Sequence, residues 1–292
     1  MRSETIDLGG PVHVADFGGS GEPMVLVHGL GGSHLNWAAV GPQLADRFRV
    51  TAPDLAGFGL TPPAGRSTAV EANAGLLARY LDSIGRPTVL VGNSMGGLVS
   101  MLVAARAPHR VRALVLADPA LPTSMTARPD LAVLGAFMAY AVPGLGEAYV
   151  RRRAERLGPE GLVRETMRLC TVDPSRIPED VYRAHVELAR RRRAFAWAMP
   201  AYLDAARSVV RLLAQRRRIH DTMRRVAAPT LLVHGDRDRL VSLAAARAAV
   251  RTCPAWRLQV LADTGHVPQL ERPQQFVDAV LRFCAGDAEA AA

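Results

Sequence analysis

The chain of 292 residues has no lysine, and all 36 of its basic residues are arginine. With that absence goes any GxxxxGK[ST] loop, and no GxGxxG is present either, so a nucleotide-phosphate cradle is excluded. Cysteine is nearly as scarce. Cys170, Cys253 and Cys284 are odd in number, widely spaced and without a CxxC pair. This excludes a disulfide framework or a zinc site and points to a reducing, cytoplasmic setting. Long apolar runs are also missing. The most apolar stretch, residues 131–142, is half the ~20 residues of a spanning helix, so no membrane span is expected. No apolar run precedes Met24, so no signal peptide is expected. Aromatics make up 5% of the chain, and none interleaves with the arginine runs at 151–153, 190–193, 216–218 and 224–225. Single-stranded nucleic acid would require such interleaving. The net charge of +9 therefore reads as solvated helix faces whose arginine stems cover apolar surface, with no nucleic-acid partner expected.

What is present is 49% hydrophobic sequence, enough for a full core. Residues 24–27, 49–52, 88–91 and 113–116 are short apolar or β-branched runs, mostly closed by Gly, Pro, Asp or His. Such runs suit strands buried on both faces of a parallel sheet. Helical patterns lie between them, notably at residues 70–84 and 97–107. The expected fold class is therefore α/β, built of βαβ units. From residue 120 to 227 the strand texture vanishes, leaving Arg-, Ala- and Leu-rich helical sequence punctuated by Pro129, Pro143, Pro159, Pro174, Pro178 and Pro200. Strand texture returns at 230–233 and 257–260, with helices expected at 244–250 and 273–284. The simplest organisation is a core of residues 1–119 and 228–292 interrupted by a helical insertion, 120–227, too long for an ordinary loop. The tail after Cys284 is small and polar and is expected to fray.

Four sites fall at strand ends, where open α/β sheets place their chemistry. Gly92-Asn93-Ser94-Met95-Gly96 joins a strand to a helix as a GxSxG elbow, presenting Ser94 as a nucleophile at a helix start. His28-Gly29-Leu30-Gly31-Gly32 closes the run at 24–27. A tetrahedral intermediate needs two N–H donors, each worth about 3 kcal/mol of barrier, and Leu30 and Met95 are the candidates. A serine hydroxyl also needs a base and an acid to orient it. His266 is the candidate base, and Asp238 in His234-Gly235-Asp236-Arg237-Asp238 the preferred acid, with Asp236 and Asp118 in reserve. The order Ser, Asp, His suits this type of fold. Taken singly, each residue has a structural explanation: His28 and His234 as hydrogen-bonded core histidines, either Asp as a helix cap.

These motifs, with Pro53-Asp54-Leu55-Ala56-Gly57-Phe58-Gly59, together resemble the α/β-hydrolase superfamily over nearly the whole chain outside the insertion. The resemblance implies a mostly parallel sheet, a helical cap roofing the pocket, the aspartate of Gly-x-x-Asp as triad acid, and no metal or organic cofactor. Members with a nucleophilic aspartate, such as epoxide hydrolases and haloalkane dehalogenases, are disfavoured by serine at 94. The elbow is similar to that of carbon–carbon bond hydrolases acting on ring-fission products, which hold acidic substrates with a cap arginine. Val267 replaces their usual aromatic residue, however, and the Gly29-Leu30-Gly31-Gly32 loop differs from theirs. Hydrolysis of a carboxylic ester of a small or medium apolar substrate ranks first and carbon–carbon hydrolysis second. A perhydrolase would use the same triad, and a non-catalytic binding protein on this scaffold is the rival from another class. Leu134, Phe137, Met138 and Tyr140 are candidate pocket-lining residues in the insertion.

Overall fold

The computed structural model describes residues 1–122 and 130–286, so Pro129 and the tail beyond 286 lie outside the described residues. Eight strands form one sheet: β1 (Arg2–Asp7), β2 (Pro11–Gly18), β3 (Glu22–Val27), β4 (Phe48–Pro53), β5 (Thr88–Asn93), β6 (Val111–Ala117), β7 (Thr230–Gly235) and β8 (Arg257–Leu261). Their order is β1-β2-β4-β3-β5-β6-β7-β8. β2 runs antiparallel to β1 and β4, and the remaining pairs are parallel. The hairpin of β1 and β2 is an addition to the strands read from sequence. Its outer member is polar and mostly exposed, so it lacks the apolar run that marks a buried strand.

Alternation along the strands divides the core in two. Val25, Val27, Leu90, Leu114 and Leu232 face a layer containing α2 (Val70–Ile84) and α3 (Met95–Arg106). Met24, Leu26, Val89, Val91, Val115 and Val233 face the opposite layer, where α1 (Gly41–Leu44) contributes Leu44. Successive side chains point to opposite faces, so continuous apolar strands are the ones that serve both layers.

Between β6 and β7 the described residues are helical: α4 (Leu131–Ala141), α5 (Leu145–Cys170), α6 (Glu179–Arg192), α7 (Ala198–Ala214) and α8 (Arg216–Arg224). α5 is two helical pieces joined at Gly158, whose φ is +62°, ahead of Pro159. Proline has no N–H to continue the ladder, and the glycine takes the left-handed turn. α7 ties this segment to the sheet layers. Asp204 accepts from the Thr68 N–H and hydroxyl, and Ser208 Oγ accepts the Val70 N–H at 2.9 Å. Ser208 thus caps α2, whose own N-cap is an alanine without a side-chain acceptor. The chain closes with α9 (Leu243–Thr252), α10 (Pro268–Glu271) and α11 (Pro273–Ala285), the last packing Phe276, Val277 and Val280 under the sheet with α1.

The pairing registers bring strand C-termini together. Val27 lies opposite Gly92, Asn93 opposite Ala117, and Ala117 opposite Val233. The loops that carry the candidate residues all leave the sheet at that edge.

Candidate active site

Ser94 occupies the turn between β5 and α3 with φ +53° and ψ −119°, a conformation rare for a residue with a side chain. Close approach enforces it. A Cβ on Gly96 would lie 2.2 Å from the Val27 carbonyl oxygen, and one on Gly92 2.5 Å from that of Gly96. Only glycine lets helix and strand pass at this separation. The Ser94 N–H donates to Ala117 O at 3.0 Å, and its carbonyl accepts from Leu98 and Ala120. The backbone is thereby fixed on all sides, while the side chain is part-exposed and makes no hydrogen bond among the described residues.

The loop after β3 lies against this elbow. A Cβ on Gly29 would sit 3.0 Å from Ser94 Cβ. Gly32 N–H donates to Gly29 O, closing a turn with Leu30 and Gly31 at its centre and leaving the Leu30 N–H outside that bond. Met95, the first residue of α3, has an N–H of the kind a helix start leaves without an intrahelical acceptor. His28 is a structural group: Nδ1 donates to Gly29 O at 2.8 Å and Nε2 accepts the Leu55 N–H at 3.0 Å. Burial pushes it down to about 4, which keeps the ring neutral.

Asp54, which the sequence marks only as a member of the Pro53–Gly59 motif, anchors this loop. Its buried carboxylate accepts from the His34 N–H and Nδ1, His13 Nδ1 and the Leu60 N–H. Burial opposes its charge, but the histidine hydrogen bonds prevail and hold the carboxyl well below the usual carboxylate range. The three side chains are joined at hydrogen-bond distance, a network that ties the loop after β3 to the end of β4.

On the far side, His266 Nδ1 donates to Asp238 Oδ2 at 2.7 Å, and Nε2 is buried without a partner among the described residues. Asp238 Oδ1 accepts the Leu240 and Val241 N–H groups. Burial opposes ionisation of Asp238, but the charge and hydrogen bond of His266 outweigh it and lower its pKa. Asp236 is exposed and accepts the Thr264 N–H instead. Asp118 is buried beside Asp238. Its Oδ1 takes the Gly235 N–H at 3.0 Å, Oδ2 has no partner of ordinary hydrogen-bond geometry among the described residues, and one oxygen lies within 4.8 Å of both Asp238 and His234. Burial and the neighbouring Asp238 charge raise its pKa well above the carboxylate range, so Asp118 holds its proton. His234 donates from Nε2 to Val241 O at 2.9 Å, and burial lowers its pKa.

The helical segment reaches this cluster through backbone. The His266 N–H donates to Cys170 O, at the end of α5, at 2.7 Å. Glu271, fully buried, accepts the N–H groups of Gly265, Val172 and Asp173 and pairs with Arg176. It fastens the histidine loop to the insertion, and nothing in its Leu-Glu-Arg-Pro context marks it. Asn93 Nδ2 joins the elbow to the same loop by donating to His266 O at 3.0 Å. The Cys170 thiol is pushed up to about 12 by burial and is inert as a nucleophile.

Two further contacts join the helical segment to these loops. Leu30, Phe137, Met199 and Tyr202 pack against a buried cluster of Tyr140, Leu203 and Ala206, and a Cβ on Gly31 would touch the Tyr202 ring at 3.2 Å. Leu134 and Met138, expected to join them, are instead 45% and 58% exposed, because an 11-residue helix turns only one stripe inward. Arg192, at the end of α6, stacks on Trp197 and donates to the Gly57 and Gly59 carbonyls. It has no carboxylate partner among the described residues, and burial lowers its pKa.

A sequence model of the alpha/beta hydrolase fold matches residues 22–273. The chain is 31% identical over 277 residues to a 2-hydroxy-6-oxo-2,4-heptadienoate hydrolase of Pseudomonas putida, covering 92% of this chain and 91% of that protein. It is 32% identical over 233 residues to haloalkane dehalogenase 2 of Mycobacterium tuberculosis, covering 78% of this chain and 75% of that protein. Among solved structures it is similar to a thermophilic esterase from Thermogutta terrifontis, with TM-score 0.69 and 27% identity over 98% of this chain and 99% of the other.

Proposed function

Since the chain belongs to the α/β-hydrolase family, we propose that it is a serine hydrolase cleaving carboxylic esters of small or medium apolar acids through an acyl-enzyme. The observation that carries this reading is the Asp238–His266 hydrogen bond of 2.7 Å, with the opposite ring nitrogen buried and without a partner among the described residues and the strained Ser94 turn tied to the same loop by Asn93. His266 Nε2 takes the Ser94 proton as the oxygen attacks the carbonyl carbon. The oxyanion is held by the Leu30 and Met95 N–H groups. His266 then protonates the leaving alcohol, and a water activated by the same nitrogen releases the acid. Asp238 holds the ring orientation and balances the imidazolium. The chemistry calls for no metal or organic cofactor, and the free cysteines Cys170, Cys253 and Cys284 accord with a cytoplasmic setting.

Leu30 and its aromatic neighbours favour an apolar acyl group. Turnover of nitrophenyl esters from acetate to octanoate tests this. The expected result is a rise in kcat/KM to an optimum chain length, with loss of about 10⁴-fold or more in Ser94→Ala. Absence of turnover, or turnover unchanged in Ser94→Ala, contradicts it.

A second reading, hydrolysis of a carbon–carbon bond in an acidic dienoate, is favoured by Arg192, a part-buried cation with no carboxylate partner among the described residues. The relative from Pseudomonas putida is named for such a substrate. Incubation with a 2-hydroxy-6-oxo-dienoate separates the two readings. Cleavage that exceeds ester turnover and fails in Arg192→Leu, through a raised KM, selects the second.

A further inference from the structure

α4 has the sequence Leu-Ala-Val-Leu-Gly-Ala-Phe-Met-Ala-Tyr-Ala, without a charged residue. A helix apolar on all sides belongs in an interior. Its inner stripe meets that expectation, with Tyr140 buried and Phe137 packed beside it. The outer stripe does not. Leu131, Leu134 and Met138, at i, i+3 and i+7, are 45% to 79% exposed. Val142 and Leu145, at the turn into α5, add apolar side chains at 47% and 54% exposure, whereas Tyr149, 39% exposed, sets its ring edge against Tyr140 of the inner stripe. α5 runs close beside α4, for a Cβ on Gly146 would lie 3.1 Å from Ala139 O. Leu131, Leu134, Met138, Val142 and Leu145 make up most of the large apolar side chains exposed among the described residues, and a concentration of this kind marks an interaction surface.

Charge identifies the occupant. Arg152 follows Leu145 at helical spacing (i, i+7), and Arg151 lies about 100° round the helix from it, on the adjoining flank. Both are exposed and carry no ion pair among the described residues. The neighbouring Arg153 and Arg156 share Glu165. On the acidic side, Asp130 is neutralised by Arg239 and Glu147 by Arg207, leaving Glu155 as the one further acid on this stretch of α5 ahead of the kink. An apolar face edged by uncompensated arginine suits a surface that offers hydrocarbon and negative charge together. A second copy of the chain fits it less well, since a twofold interface sets the patch against itself and brings the same arginines together. No helix among the described residues is long and apolar enough to cross a membrane, so the contact lies in the interface plane.

We propose that the outer face of α4 and the start of α5 form a docking surface for anionic lipid bilayers. This contact stands apart from the reaction: it is read by binding, whatever bond the enzyme cleaves. The test is co-sedimentation of the full chain with phosphatidylglycerol vesicles and with pure phosphatidylcholine vesicles, with sedimentation velocity on the lipid-free protein. The expected result is binding to the anionic vesicles that weakens with salt. Leu131→Ser/Leu145→Ser removes it, and Arg151→Gln/Arg152→Gln weakens it roughly 25-fold, about fivefold per arginine. Thermal melts of both variants verify folding, and the arginine pair keeps the test valid if the serine pair does not fold. Failure to bind phosphatidylglycerol, equal binding to both lipids, or a lipid-free dimer that the serine pair dissociates overturns the proposal.

Discussion

Ser94 sits at φ +53° because its amide and carbonyl are held by Ala117, Leu98 and Ala120, and its strain is matched by an electrostatic one at the ends of the next two strands. Asp118 and Asp238 are two buried carboxyls sharing one neighbourhood, and like charges so placed do not ionise together. Asp238, facing His266, takes the charge, and Asp118 keeps the proton. Cys170, His234 and Glu271 also adjoin the pair. In the unfolded chain residue 118 ionises near pH 4, at about 3.9. In the fold it remains protonated well above that. The folded state then binds the extra proton, and stability falls as pH rises from the unfolded value toward the folded one. An amide in place of this carboxyl mimics the neutral acid, with its oxygen still accepting the Gly235 N–H. Asp118→Asn is therefore expected to melt above wild type at pH 8, with the gap closing toward pH 4. Fluorimetric melts across that range check it, and a gap independent of pH contradicts the protonated assignment.

At the scale of elements, the site depends on short contacts between pieces distant in sequence. α10 contributes Glu271, which gathers three N–H groups from the histidine loop and the end of α5. Glu271→Ala leaves them short of an acceptor, at a cost of about 3 kcal/mol or more. It is expected to lower kcat for a nitrophenyl ester more than tenfold while changing KM little, because His266 loses its placement while Leu30 and its neighbours are untouched. An unchanged kcat in a folded variant rules out that positioning role. These elements differ in how plainly the chain announces them. β3, β5, β6 and β7 were legible because strands buried on both faces are continuous apolar runs, and α2 because its apolar positions recur at helical spacing. β1 was not, for its alternating polar residues serve an exposed edge. The elbow was legible because Gly92 and Gly96 answer a local steric demand. Asp118, Asp236 and Asp238 all follow strands, and spacing alone does not decide which of them turns toward His266. Asp54 and Glu271 were not legible as site supports, since a buried acid is distinguished from a surface one only by partners far along the chain. The outward turn of Leu134 and Met138 likewise depends on which stripe of α4 meets Leu30 and Tyr202.

At the scale of the whole molecule, the C-terminal ends of the strands collect four loops, and the helical segment between β6 and β7 meets them through the Cys170–His266 backbone bond and the Tyr202 contact at Gly31. The same segment turns an apolar, arginine-edged face outward. The central claim is that this assembly activates a single serine. Reaction with a fluorophosphonate, followed by digestion and mass analysis, tests it most directly. The expected result is one adduct per chain, on the peptide carrying Ser94, absent from Ser94→Ala and slowed at least a hundredfold in His266→Ala, roughly the contribution of a positioned base. Labelling that is absent in wild type, or that persists undiminished in Ser94→Ala, contradicts the claim.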